Sequence, residues 1–217
     1  MENILAKIDH SRLKPTVTEI DVIESAKATM KYGFASLCVL PKHVYVASSI
    51  LPSSKICAVI GFPLSDVNTD GKLYEIENCL KNGAGEFDIV LDISAVKEGN
   101  FKKVDEELFK IRKETSGNVI KLILECCYLT DEEKRQACQI AIENGWDFVK
   151  TSTGFGKYGA TREDVELLKN CSKRRINIKA AGGIRTLSQA RMFIEIGADR
   201  IGTSSGEEIA YEYMHSR

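Results

Sequence analysis

Proline is scarce, with 4 in 217 residues, and no proline-, serine- or charge-rich run breaks the chain. Nothing therefore marks a linker, and residues 1–217 read as one domain. Charge of one sign is lacking too: 30 Lys and Arg balance 31 Asp and Glu, for a net −1. That balance gives no global field for nucleic acid or an anionic membrane, so any phosphate must be caught by local groups. No C-x-x-C occurs among the 7 cysteines, and Cys126 and Cys127 are adjacent. An odd count without metal-like spacing excludes a disulfide framework and fits a reducing, cytoplasmic setting. Cys38, Cys57, Cys126 and Cys138 stand in apolar runs, as buried thiols do. Long apolar runs are absent, including from the opening MENILAKIDH, so neither a signal peptide nor a membrane span is expected.

What the chain does have is a repeated alternation. With 43% hydrophobic residues it can bury a sizeable core. Short apolar strands are expected at 8–10, 34–40, 55–61, 86–92 and 119–125, at the stretch ending on Lys150, at 176–181 and at 199–203. Between them fall amphipathic stretches. Thr18-Glu19-Ile20-Asp21, Thr130-Asp131-Glu132-Glu133 and Thr161-Arg162-Glu163-Asp164 resemble helix-opening capping boxes. After the eighth strand only a short tail is expected. Strands without clear alternation suit a parallel sheet covered on both faces. Eight such units fit an α/β fold of the closed (β/α)8 TIM-barrel type, slightly short of the about 250 residues usual there. A doubly wound open sheet is the alternative. It calls for a glycine-rich turn after the first strand, and Ile8-Asp9-His10-Ser11-Arg12 has none.

Trp146-Asp147-Phe148-Val149-Lys150 reads as a strand running into a loop that carries Gly154, Gly156 and Gly159. A lysine at the end of a buried strand is pushed toward the neutral amine by desolvation, and a neutral amine attacks carbonyls to form Schiff bases. Lys179 lies on the next strand, just before Gly182-Gly183, and supplies a like charge that acts in the same direction. In a barrel the active site lies at the C-terminal strand ends. Asp9, Cys38, Asp88, Asp92 and Glu125 fall there with the two lysines. Asp88, Val90 and Asp92 share one strand face by the period of two. The loops Gly182-Gly183-Ile184-Arg185 and Gly202-Thr203-Ser204-Ser205 follow strands seven and eight, where such barrels cradle phosphate. Arg185 fits either a phosphate or a nearby acid. An amine nucleophile, an acid, a second lysine and a phosphate pocket suit an aldolase or related lyase. They suit a sugar-phosphate isomerase less well, since isomerisation needs no buried amine.

Several of these stretches resemble a known family, the deoxyribose-phosphate aldolases. They are Ile8 through Pro15, Val59-Ile60-Gly61-Phe62-Pro63, Glu86-Phe87-Asp88-Ile89-Val90, Lys150 through Gly154, Lys179 through Thr186, and Gly202 through Gly206, in family order. The resemblance implies a class I aldolase on a (β/α)8 barrel. Its reaction interconverts 2-deoxy-D-ribose 5-phosphate with acetaldehyde and D-glyceraldehyde 3-phosphate. On the matched motifs Lys150 is the Schiff-base lysine, Asp88 the proton-shuttling acid, and Lys179 its cationic companion. Gly154, Gly182, Gly183, Arg185, Gly202, Ser204 and Ser205 are implied to bind substrate and phosphate, with Asp9 and Cys38 in support. No cofactor and no metal are expected, the partners are a phosphorylated sugar and an aldehyde, and a homodimer is implied. The chain departs from the family in places. Many members carry Asn where Asp92 stands, Gly at Ser65 and Thr at Cys126. Asp92 is expected either to raise the pKa of Asp88 or to pair with a lysine. Some members end in a tyrosine that reaches the site, a role not carried over to Tyr211 or Tyr213. Two competing readings share the barrel: a non-catalytic sugar-phosphate binder, and a Schiff-base aldolase for another phosphorylated sugar.

Overall fold

The computed structural model describes residues 3–216. Its centre is a closed barrel of parallel strands: β1 (Ile8–Arg12), β2 (Ser36–Val39), β3 (Ile56–Ile60), β4 (Glu86–Val90), β5 (Val119–Ile123), β6 (Phe148–Lys150), β7 (Asn177–Ala181) and β8 (Arg200–Thr203). Each pairs with the next, and β8 pairs back onto β1, so no edge is left open. Every residue of β3 and β4 is buried, which explains why their sequences show no alternation. The expected (β/α)8 class is therefore the observed one.

Around it stand α1 (Glu19–Tyr32), α2 (Val44–Ser48), α3 (Thr69–Lys81), α4 (Ile93–Lys97), α5 (Phe101–Glu114), α6 (Asp131–Glu143), α7 (Arg162–Ser172), α8 (Leu187–Ile196) and α9 (Gly206–His215). The boxes at Thr18 and Thr130 form in full, each hydroxyl and its acid exchanging bonds across the first turn. The one at Thr161 forms by half. Its hydroxyl accepts from the Asp164 amide and donates to Asp164 Oδ2 at 3.0 Å, while Asp164 Oδ1 lies 2.7 Å from Lys134 Nζ.

Three expectations need correction. More than a short tail follows β8: α9 is a helix with Ile209 and Ala210 in the core. The fourth strand stops at Val90, and Asp92 lies beyond it as the N-cap of α4, accepting from the Ala95 amide at 3.0 Å. Asp92 therefore does not share a strand face with Asp88. Its charge is met by Lys103 at 2.7 Å, which holds its carboxyl below the usual range against a partial burial that works the other way. Finally, Cys126 and Cys138 do sit in the apolar core, but Cys38 and Cys57 face a charged interior described below. Ser65, where the family favours glycine, has φ 53° and hydrogen-bonds the Val90 carbonyl at 3.4 Å.

A buried ion pair ties α3 to α5. Lys72 is fully buried, and its Nζ donates to Glu107 Oε1 at 2.6 Å and to the Val90 carbonyl at 2.8 Å. Removing one partner strands the other charge without water. Glu107→Ala is expected to lower stability by about 3–5 kcal/mol in urea denaturation. A loss below about 1 kcal/mol, the scale of an exposed pair, contradicts that reading.

Candidate active site

Strand register decides which side chains meet inside the barrel. Asp88 is level with Lys121, and Lys150 is level with Lys179. All four point inward, and none is more than 3% exposed. Asp88 Oδ2 accepts from Lys150 Nζ at 2.7 Å and from Lys179 Nζ at 2.7 Å, so the two expected lysines share one carboxylate oxygen. Asp88 Oδ1 lies 3.1 Å from Lys121 Nζ. Asp9 Oδ2 is 2.6 Å from Lys179 Nζ, and Asp9 Oδ1 receives Arg200 Nη1 at 3.1 Å and the Ser36 hydroxyl at 2.8 Å. Glu86 closes the network below, bound to Lys121 Nζ at 2.7 Å and to Arg200.

The electrostatics follow from this packing. Burial alone raises a carboxyl, but Lys121, Lys150 and Lys179 outweigh it and hold Asp88 well below the ordinary range. Burial likewise opposes the charge on Asp9, and Lys179, Lys121 and Arg200 override it downward. Desolvation would discharge Lys179, yet Asp88 and Asp9 raise it above its usual value, so it rests as a cation. The reading of Lys150 from burial and like charge thus omitted the anion between the two amines. The bonded network sets three carboxylates, Asp9, Glu86 and Asp88, against four cations, Lys121, Lys150, Lys179 and Arg200. Lys150 and Lys179 both border the cavity that opens at the strand ends.

That cavity encloses about 560 Å³. Its far wall is built from the loops after β7 and β8: Gly182, Gly183, Ile184, Arg185, Ser204 and Ser205. Gly182 and Gly183 have φ of 94° and 79°, a left-handed backbone that turns the loop tightly. Ser205 caps α9, so that helix opens its N-terminal end beside the same wall, the polarity that favours an anion. Gly154 borders the cavity from the loop after β6. Gly202 does something the sequence did not reveal. A Cβ there would stand 3.0 Å from Lys179 Cε and 2.8 Å from Ala181 Cβ, so its bareness makes room for the Lys179 stem.

Sequence reasoning missed Lys121, Glu86, Arg200 and Arg12. All four are strand residues, and the argument applied to Lys150 reaches Lys121, which lies in an apolar run, equally. Arg12 spans 192 residues to hold the Ser204 carbonyl with Nη1 at 2.9 Å, with Ser25 and Glu207 as its other partners. Nothing local announces that bond. Glu125 was placed at the site without a role. It is buried with φ 51°, accepts from the Thr153 amide and hydroxyl, and so fixes the loop that follows Lys150. Burial pushes its carboxyl above the ordinary value.

A DeoC/LacD family aldolase profile matches residues 4–211. The chain belongs to that family. A deoxyribose-phosphate aldolase of Thermoanaerobacter pseudethanolicus is 46% identical over 216 residues, spanning 97% of each chain. Among solved structures, one described as QR15, an aldolase, superposes with a TM-score of 0.95 at 46% identity, over 99% of this chain and 97% of that one. A tetrameric deoxyribose phosphate aldolase of Aeropyrum pernix gives 0.90 at 32% identity, over 99% and 92%. The motive for a non-catalytic binder rested on Asp92, which is engaged with α4 and Lys103.

Proposed function

We propose that the chain is a class I aldolase that cleaves 2-deoxy-D-ribose 5-phosphate to D-glyceraldehyde 3-phosphate and acetaldehyde, reversibly, with Lys150 as the Schiff-base lysine. The observation that carries this is the single buried oxygen of Asp88 shared by Lys150 and Lys179, the two lysines that border the cavity. In cleavage, Lys150 Nζ adds to the C1 aldehyde of the open-chain sugar, and loss of water gives an iminium. A base takes the proton of the C3 hydroxyl, the C2–C3 bond breaks, and its electrons pass into the iminium. The triose phosphate leaves, and an enamine of acetaldehyde remains on Lys150. Protonation at C2 and hydrolysis release acetaldehyde. Asp88 and Lys179 are the acid–base pair for these transfers, through water where they do not reach directly. The wall of Gly182, Gly183, Arg185, Ser204 and Ser205 takes the phosphate, remote binding that orients the reacting carbons. Every step uses side chains and water.

The test is an assay of the purified protein with 2-deoxy-D-ribose 5-phosphate, scoring both products. Borohydride added with acetaldehyde is expected to leave a two-carbon adduct on Lys150. Turnover with Lys150 unmodified removes the proposal, and turnover of a different phosphorylated sugar in a substrate panel moves it to another Schiff-base aldolase. Arg12→Ala probes the phosphate wall, since it frees the Ser204 loop. KM for the phosphorylated sugar is expected to rise about tenfold, the scale of one lost hydrogen bond to a charged group, with little change toward unphosphorylated 2-deoxyribose. Equal loss on both sugars places Arg12 in general folding instead. A homodimer in the cytoplasm is part of the same reading. No helix of the described residues is long and apolar enough to cross a membrane. The Aeropyrum relative is tetrameric by its description, so sedimentation decides the assembly.

A further inference from the structure

Two thiols in the barrel interior take no part in the steps above. Cys38 on β2 and Cys57 on β3 are register partners on adjacent strands, and both are buried. Both turn inward: Lys179 Nζ lies 3.5 Å from the Cys38 sulfur, and the Cys57 thiol donates to Asp88 Oδ1 at 3.1 Å. Lys121 Nζ lies 3.4 Å from the Cys57 sulfur. One ligand atom from each of Cys38, Cys57 and Asp88 falls within 4.8 Å of the others, a spacing that resembles a metal site. A divalent cation there would meet Lys121, Lys150 and Lys179 at close range, all bonded to the same carboxylate. A neutral sulfur–sulfur bond meets no such repulsion. Neighbouring strands stand about 4.8 Å apart, inside the Cα separation of about 4.4–6.8 Å that a disulfide spans.

We propose that Cys38 and Cys57 form a reversible dithiol–disulfide modification site in the wall of the catalytic cavity, with hydrogen peroxide as oxidant. Cys38 borders the cavity and Cys57 lies behind it, which sets the order of events. The Cys38 thiolate attacks one peroxide oxygen, the O–O bond breaks, and a sulfenic acid forms as hydroxide leaves. Cys57 then attacks the Cys38 sulfur. Its proton goes to the departing hydroxyl, and the S–S bond closes. Overall two thiols are oxidised, one peroxide is reduced, and two waters form. The neighbouring Cys57 side chain, with Lys179 beside it, lowers the Cys38 thiol against its burial, while burial raises Cys57. The disulfide withdraws the Cys57 donor from Asp88 and the Cys38 sulfur from Lys179, disturbing the two groups proposed to move protons.

The inference rests on the aldolase reading only for its activity readout. Full-length protein is treated with graded hydrogen peroxide, blocked with iodoacetamide, denatured and cut with trypsin, which places the two cysteines in residues 32–42 and 56–72. A linked peptide two hydrogens lighter than its halves is expected. It should accumulate as sugar-phosphate cleavage falls about tenfold, the effect of one lost charge-assisted contact, and dithiothreitol should reverse both. Both cysteines found alkylated in inactivated protein, or a linked peptide in fully active protein, overturns the proposal. In Cys57→Ser the resolving thiol is gone, so the same exposure carries Cys38 to sulfinic acid and dithiothreitol restores nothing. Recovery of that variant equal to wild type also overturns it. Should the variant not fold, the wild-type map decides alone. A protein inert toward the sugar before oxidation refutes the function, and the linked peptide still scores the thiol pair.

Discussion

Lys150→Ala removes cleavage of 2-deoxyribose 5-phosphate to the assay background. Borohydride with acetaldehyde then leaves no adduct on the variant, whereas wild type is modified at that one residue. The expectation is steep because the lysine forms and breaks covalent bonds with the substrate, and no other amine of the network is placed to replace it. Lys121 is fully buried and does not border the cavity. Lys179 borders it but is held as a cation by Asp88 and Asp9, so it lacks a free electron pair. Lys150→Arg sharpens the test, since a guanidinium keeps the charge beside Asp88 and has no nucleophilic amine. If charge alone mattered, the arginine variant would retain activity and alanine would not. Both are expected to be inactive. Turnover by either removes Lys150 from the role of Schiff-base residue, and an adduct on Lys179 would transfer that role.

Why some of this was legible in the sequence, and some not, has a physical basis. Lys150 and Lys179 announce themselves because each lies in a short apolar run just before a glycine loop, a place where an ammonium is costly unless used or paired. The barrel was legible for a similar reason: local apolar runs and helix caps report their own geometry. Thr18 and Thr130 bond within their own first turns, and the register of their boxes needs no distant partner. The network is different. Arg200 meets Asp9 and Glu86 only because β8 closes onto β1, a contact between opposite ends of the chain. The true neighbours of Cys38 and Cys57 are likewise set by strand order, and each looked apolar from its flanking residues. At Asp92 the period of two was carried past the end of β4, and a helix cap was read as a strand residue. In α9 the buried Ile209 and Ala210 are too few for a periodic signal to stand out in a short terminal segment.

Asp88→Asn should damage both activity and stability, and the two losses have separate causes. For activity, the variant removes the carboxylate shared by Lys150 and Lys179, and with it the group proposed to pass protons between them. A loss of about 10²- to 10⁴-fold in kcat is expected, the usual worth of a positioned acid–base group. For stability, the wild-type carboxylate compensates three buried ammonium groups, and an amide offers one acceptor oxygen without charge. Leaving buried cations uncompensated costs about 3–5 kcal/mol. The pH dependence separates this from mere loss of packing. The folded pKa of Asp88 lies well below 3.8, its ordinary value, because Lys121, Lys150 and Lys179 override burial. A group depressed on folding stabilises the protein fully above its unfolded pKa, and that contribution is lost as pH falls through the folded value. Wild type should therefore lose stability steeply as the pH drops below 3.8, with Asp9 adding to the same slope. In Asp88→Asn that acid slope is shallower, and the variant's deficit is largest near neutral pH. Urea denaturation from acid to neutral pH measures it. A deficit of constant size across the range means that the carboxylate's charge is not what holds the three lysines, and that the shared oxygen contributes by shape alone.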